Sequence, residues 1–125
     1  MKIYISHNRK QFNYKKELYE PLKNSQLSKD HIFIFPHDNN PQSFNAKDLF
    51  QNKGCDLVIA EVSYPATGQG IELAWANMYQ IPIVCIYKQG SDISGSLSFI
   101  TSKFLMYTDT QNMIEDIAGF LRQYE

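Results

Sequence analysis

Charge of one sign is what this sequence lacks most plainly: 12 Lys and Arg stand against 13 Asp and Glu in 125 residues, a formal net charge of −1. Acids and bases interleave along the chain, so neither a basic stripe for nucleic acid nor a basic face for a membrane surface is expected. Long hydrophobic runs are missing too. No apolar stretch approaches the roughly 20 residues that span a bilayer, and MKIYISHNRK lacks the long apolar region and small-residue cleavage site of a secretion signal. Cysteine is scarce: Cys55 and Cys85 have no metal-like spacing with His7, His31 or His37 and read as reduced core thiols. Glycine-rich phosphate motifs are also lacking. Only Gly68-Gln69-Gly70 stands before a helical segment, without the GK[ST] ending of a P-loop or a full GxGxxG. These absences leave a cytoplasmic protein acting on small polar ligands, with no metal and no cofactor expected.

What is present is a well-furnished core. Apolar residues make up 43% and aromatics 14% of the chain, enough for one core and short for two, so residues 1–125 read as one domain. Short apolar strands alternate with amphipathic segments. Strands are expected at Lys2 to Ser6, His31 to Pro36, Asp56 to Val62, Ile81 to Tyr87 and Phe104 to Tyr107. Helices are expected at Gln11 to Ser25, with Pro21 kinking it or ending it early, at Ser43 to Asn52 with Gly54 as the stop signal, at about Gly68 to Tyr79, and at about Gln111 to Tyr124. The run DLVIAEV is apolar enough to be buried on both faces. Five strand-helix alternations predict an α/β fold: a doubly wound, five-stranded parallel sheet between helical layers, flavodoxin-like or Rossmann-like in order.

Such sheets take ligands beyond the carboxyl ends of their strands. The loops there carry Ser6, His7, Asn8 and Arg9; His37 and Asp38; Ser63 to Gly70; and Ser91 to Ser98. Glu72 follows the third loop. An acid in the first turn of a helix is ordinarily a stabiliser of exposed N–H groups, but Glu72 is the only charge between Ile71 and Tyr79. Gly68 and Gly70 just before it let a ligand approach the backbone N–H groups of the helix start. A helix this apolar also needs cover on more than one side, by the sheet and by a partner subunit.

Three segments, "IYISHNRK" followed by "ELYEPL", "KDLFQNKGCD" and "DLVIAEVSYPATGQGIELAWA", resemble the nucleoside 2-deoxyribosyltransferase-like family, and within it the deoxynucleoside 5'-monophosphate N-glycosidases. The resemblance implies that Glu72, in the Glu-Leu dipeptide after the glycine pair, is the nucleophile. It implies that Asp48 is a catalytic aspartate and that Tyr4 assists the nucleophile. His37 matches a base-pocket histidine, Asn8 and Arg9 match sugar or phosphate contacts, and Ser96 or Ser98 matches a ligand-binding serine. Two departures stand out: Pro65-Ala66-Thr67 replaces the usual Pro-Ser, moving the hydroxyl to Thr67, and Ser6-His7-Asn8-Arg9-Lys10 replaces a glycine-rich stretch.

The chemistry so implied is cleavage or transfer at the N-glycosidic bond of a 2'-deoxyribonucleoside or its 5'-monophosphate. A carboxylate forms a glycosyl ester and an acid helps the base to leave. The family also implies a homodimer or higher oligomer. Two other functions are compatible with the sequence. One is a Toll/interleukin-receptor-like NAD-cleaving module, from the weak likeness of "IYISH" to the first strand of those domains. The other is a non-catalytic nucleotide-binding protein of the same fold.

Overall fold

The computed structural model describes residues 1–38 and 44–124. Five strands, β1 (Lys2–Ser6), β2 (Ile32–Ile34), β3 (Leu57–Glu61), β4 (Ile83–Lys88) and β5 (Phe104–Tyr107), form one sheet in the order β2-β1-β3-β4-β5. Every neighbouring pair is parallel. This is the flavodoxin-like doubly wound order, with its switch point between β1 and β3. Helices α1 (Glu20–Lys23), α2 (Leu27–Asp30), α3 (Ala46–Gln51), α4 (Thr67–Met78) and α5 (Thr110–Tyr124) connect the strands.

Side chains alternate across each strand, and the alternation sorts the core into two layers. On one face Ile3, Ile5, Leu57, Ile59 and Ile86 pack with Leu18, Leu22, Met113 and Ile117. On the other, Tyr4, Val58, Ala60 and Cys85 pack with Phe50, Leu73 and Ala76. β3 is buried at all five positions, as its unbroken apolar run requires. Cys55 and Cys85 are free, buried thiols, and burial pushes them up to about 11 and about 12 respectively.

The connections differ from the sequence reading in four places. The segment read as one helix, Gln11 to Ser25, divides into a wide turn of π-helix at Lys15–Tyr19 and the short α1. Pro21 lies inside an unbroken helical run, directly after the π-turn, where it has no N–H for the preceding turn, and the run ends at Lys23, short of Ser25. A further turn, α2, precedes β2, which itself keeps only three residues at the sheet edge. Helix α3 begins at Ala46 with Asn45 as its cap, and Ser43, read as its start, lies outside the described residues. After α3 the left-handed position falls on Lys53, with φ of 56°, rather than on Gly54. Gly54 is closely approached instead: a Cβ there would stand 2.5 Å from Leu49 Cδ1 and 3.2 Å from Leu49 O, so the Leu49 side chain would have to shift.

Candidate active site

The crevice at the β1/β3 switch point is a cavity of about 440 Å³. Its walls come from three loops and one helix: His7 to Gln11 after β1, Pro36 and His37 after β2, Phe44 before α3, and Pro65 to Gln69 with Glu72 from the β3–α4 connection. Glu72 lies in the second turn of α4, because the helix starts at Thr67 and has no acid in its first turn. The ordinary reason for a helix-start glutamate therefore does not apply to it.

Burial raises the Glu72 carboxyl above the usual glutamate range, while the hydroxyls of Ser6 and Tyr4 pull it back. Those two hydroxyls project from the same face of β1, two residues apart. Both side chains are fully buried, and neither closes a hydrogen bond of normal geometry with any described residue. Burial and the neighbouring Glu72 charge together push Tyr4 far up, so its hydroxyl remains a donor. The chain thus places two buried, otherwise unengaged donors against one carboxylate. The two hydroxyls offset part of what burial costs the ionised acid and orient it, while burial remains the larger effect.

His7 and His37 also line the cavity, and His7 is backed by two tyrosine rings. His7 Nδ1 lies 3.0 Å from Asn8 O, a carbonyl that can only accept, so Nδ1 carries the proton. Nε2 is then an acceptor, and the Tyr19 hydroxyl donates to it at 2.6 Å while accepting from His37 N at 3.2 Å. Tyr14 stacks on the His7 ring at 4.3 Å, and the His37 ring meets it edge-on at 5.4 Å. The π-helical turn, which starts just after Tyr14 and ends at Tyr19, brings both rings to His7. Burial, with some help from the charges of His37 and Arg9, lowers His7 to about 4. His37 is lowered by the same burial and by Arg9, and its Nδ1 is buried without a partner among the described residues.

The remaining sequence candidates fall into three groups. Asn8, Arg9, His37, Thr67 and Gly68 line the cavity with Glu72. Asn8 is committed to the loop itself: its Oδ1 accepts from the N–H groups of Lys10 and Gln11, both at 2.7 Å, and its Nδ2 donates to Gln11 Oε1 at 2.6 Å. Arg9 is exposed at the rim. Gly70 and Ser96 line a second cavity of about 520 Å³ instead, on the other side of Pro65 to Gln69, between α4 and the 3-10 turn Gly95–Phe99. Ser98 lines neither cavity, its hydroxyl donating to Gly95 O at 2.8 Å. Asp48 is exposed at the start of α3, where its Oδ2 accepts from Asn45 Nδ2 at 2.9 Å; Phe44 from the same stretch reaches the cavity and Asp48 does not.

Sequence reasoning named His7 in the loop after β1 but missed Tyr14 and Tyr19, which pack behind it and hold it in the cavity wall. The signal available was aromatic crowding: His7, Tyr14 and Tyr19 lie within thirteen residues immediately after β1. It was hidden by reading Gln11 to Ser25 as a regular helix, which spreads Tyr14 and Tyr19 around its circumference differently from a π-turn.

No family model matches the chain. It is 33% identical over 85 residues to a Methanosarcina mazei protein, an alignment covering 65% of this chain and 52% of the relative. It is 33% identical over 70 residues to a Syntrophotalea carbinolica protein, covering 47% of this chain and 49% of the relative. Both relatives carry the provisional name 2'-deoxynucleoside 5'-phosphate N-hydrolase 1. The chain therefore spans about half the length of the curated relatives it matches. The solved structure of the Clostridium botulinum CMP N-glycosidase BcmB shares the fold at a TM-score of 0.66 and 17% identity, covering 94% of this chain and 99% of that one. In sequence the chain is thus similar, over part of its length, to the two named hydrolases, and in fold it is similar to the glycosidase.

Proposed function

We propose that this chain breaks the N-glycosidic bond of 2'-deoxyribonucleoside 5'-monophosphates through a glycosyl ester on Glu72. The observation that carries the reading is the half-buried Glu72 carboxylate in the switch-point cavity, faced by the buried hydroxyls of Tyr4 and Ser6. A carboxylate so held is oriented for attack on an electrophilic carbon. A Glu72 oxygen bonds to C1', and the C1'–N bond breaks with its electron pair leaving on the base. The base takes a proton as it departs. Water attacking C1' of the ester then gives the free sugar phosphate and restores the carboxylate, whereas a second base gives transfer.

The names of the relatives point to a 5'-phosphate, and the cavity suits one: Arg9 and Lys10 line it, and α4 begins without a side-chain cap at Thr67 and Gly68. His37 Nδ1 offers a hydrogen-bonding atom to a base from the β2 side. Asp48, implied by the resemblance as the acid, has to release Asn45 to serve in that role, so we assign it a smaller share than Glu72. The neutral His7 ring forms the wall of the cavity on the β1 side, where it would border sugar or base. We further propose a homodimer or higher oligomer, since α4 leaves Ile71 and Met78 exposed at 48% and 60%, and Phe99 stands 87% exposed beside the second cavity.

Incubation with each deoxynucleoside and each of its 5'-monophosphates, with and without a second free base, tests the reading by chromatography of released bases. Release is expected from the monophosphates, at higher kcat/KM than from the nucleosides. A protein that releases no base from either set overturns it.

A further inference from the structure

We infer that Gln69 is a positioning residue for Glu72, clamping the start of α4 to the end of β3; the inference deepens the proposed role of Glu72 and rests on it for its kinetic consequence. The argument begins with a weakness. The first turn of α4 reads Thr67-Gly68-Gln69-Gly70, with two glycines, the poorest helix formers after proline. Its N-cap is Ala66, which makes no side-chain capping bond, and the turn carries no acid to satisfy its exposed N–H groups. By local propensity this turn frays, and Glu72 lies only one turn further on.

One side chain counters the weakness. Gln69 is buried, and its Nε2 donates to the backbone carbonyl of Glu61 at 2.9 Å. A carbonyl only accepts, so the orientation of the amide is fixed: the NH2 group faces β3. Gln69 and Glu72 are three residues apart on one helix face, and both border the cavity. The bond therefore sets the height and rotation of the turn from which Glu72 projects.

The acceptor end of the clamp is itself anchored. Glu61 is fully buried, and its carboxylate turns to the opposite face of the sheet from Glu72. There it accepts from Ser63 N at 2.8 Å, from Ser63 Oγ at 2.7 Å and from the Tyr107 hydroxyl of β5. The Ser63 oxygen in turn accepts from Lys88 N at 2.8 Å, tying in β4. A buried acid with three donors fixes the strand end, and Gln69 carries that rigidity to α4. Asn8 completes the frame from the β1 side, its Nδ2 donating to Tyr64 O at 3.3 Å.

The test compares wild type with Gln69→Leu, which keeps the bulk and removes the donor, and Gln69→Asn, which keeps the amide and loses the reach. Amide hydrogen exchange is measured across residues 67–73, with kcat and KM on the best monophosphate of the panel. The expected result is exchange in that turn faster by at least about tenfold in both variants, with α5 unchanged. kcat is expected to fall about tenfold or more with KM within about twofold, as a small displacement of a reacting group produces. Unchanged exchange in both variants overturns the clamp. Faster exchange with unchanged kcat overturns the positioning role. Should wild type release no base at all, the proposed function fails, while the exchange result still decides the clamp.

Discussion

At the scale of single residues, the proton affinities of Glu72 and His7 give the sharpest expectations. Glu72 acts as a nucleophile only when ionised, and burial raises its pKa, so the acid limb of the kcat profile should lie above the ordinary glutamate range. Tyr4→Phe removes one of the two hydroxyls that lower that pKa. The acid limb should then move up by about one pH unit, and kcat at neutral pH should fall about tenfold; a profile identical to wild type would remove Tyr4 from the account. The stability consequence has a definite sign. A carboxyl whose folded pKa is raised contributes stability below its unfolded value of 4.5, and loses it as pH rises through the folded value. Glu72→Gln should therefore be more stable than wild type at pH 7, with the difference shrinking towards pH 4, as thermal melts across that range will show.

His7 runs the other way. Its pKa is lowered from 6.5 to about 4, so the unfolded chain takes up a proton that the folded one refuses, and stability falls as pH drops from 6.5 towards 4. Integrated over that interval, the loss is about 3 kcal/mol at most. His7→Phe keeps a ring against Tyr14 and cannot titrate. Its stability should be flatter over the same interval, at the cost of the bond from Tyr19; an unaltered slope in urea denaturation would contradict the neutral state assigned to His7.

At the scale of elements, legibility followed periodicity. β1 and β5 agree with the sequence reading to the residue, and α4 within one, because their patterns are short, apolar and bounded by loops or glycines. The segment after β1 was misread because a 3.6-residue template absorbs a π-turn without complaint: Phe12, Leu18 and Leu22 are buried in either geometry. What the template could not show is that the wider turn brings Tyr14 and Tyr19 together on His7. Glu72, read from sequence as a first-turn acid, is the sixth residue of α4, so the ordinary explanation for an acid at a helix start does not apply to it. The clamp from Gln69 was equally hidden, since a glutamine between two glycines has no periodic signature and its acceptor is a backbone carbonyl.

At the scale of the whole molecule, the order of the strands fixes which loops meet. With β1 and β3 adjacent and β2 outside β1, the loops carrying His7, His37 and Gly68 had to converge. The sequence named these loops, together with the one after β4; the strand order, left there as flavodoxin-like or Rossmann-like, is what selects three of them. Side-chain direction was not readable there, and it separates Ser96 and Gly70 from the Glu72 cavity and turns Asp48 to Asn45. Assembly belongs to this scale as well. If α4 meets a second copy through Ile71 and Met78, sedimentation at micromolar concentration should show a dimer or larger species, and Met78→Lys should shift it towards monomer. A wild-type protein that sediments as monomer throughout would contradict that surface assignment.

The most direct test of the central claim is base release from the preferred 2'-deoxyribonucleoside 5'-monophosphate by wild type and by Glu72→Gln, measured side by side after thermal melts establish that both are folded. A nucleophile assignment predicts release by wild type and a loss of about a thousandfold or more in the variant. Release by Glu72→Gln at the wild-type rate would contradict it.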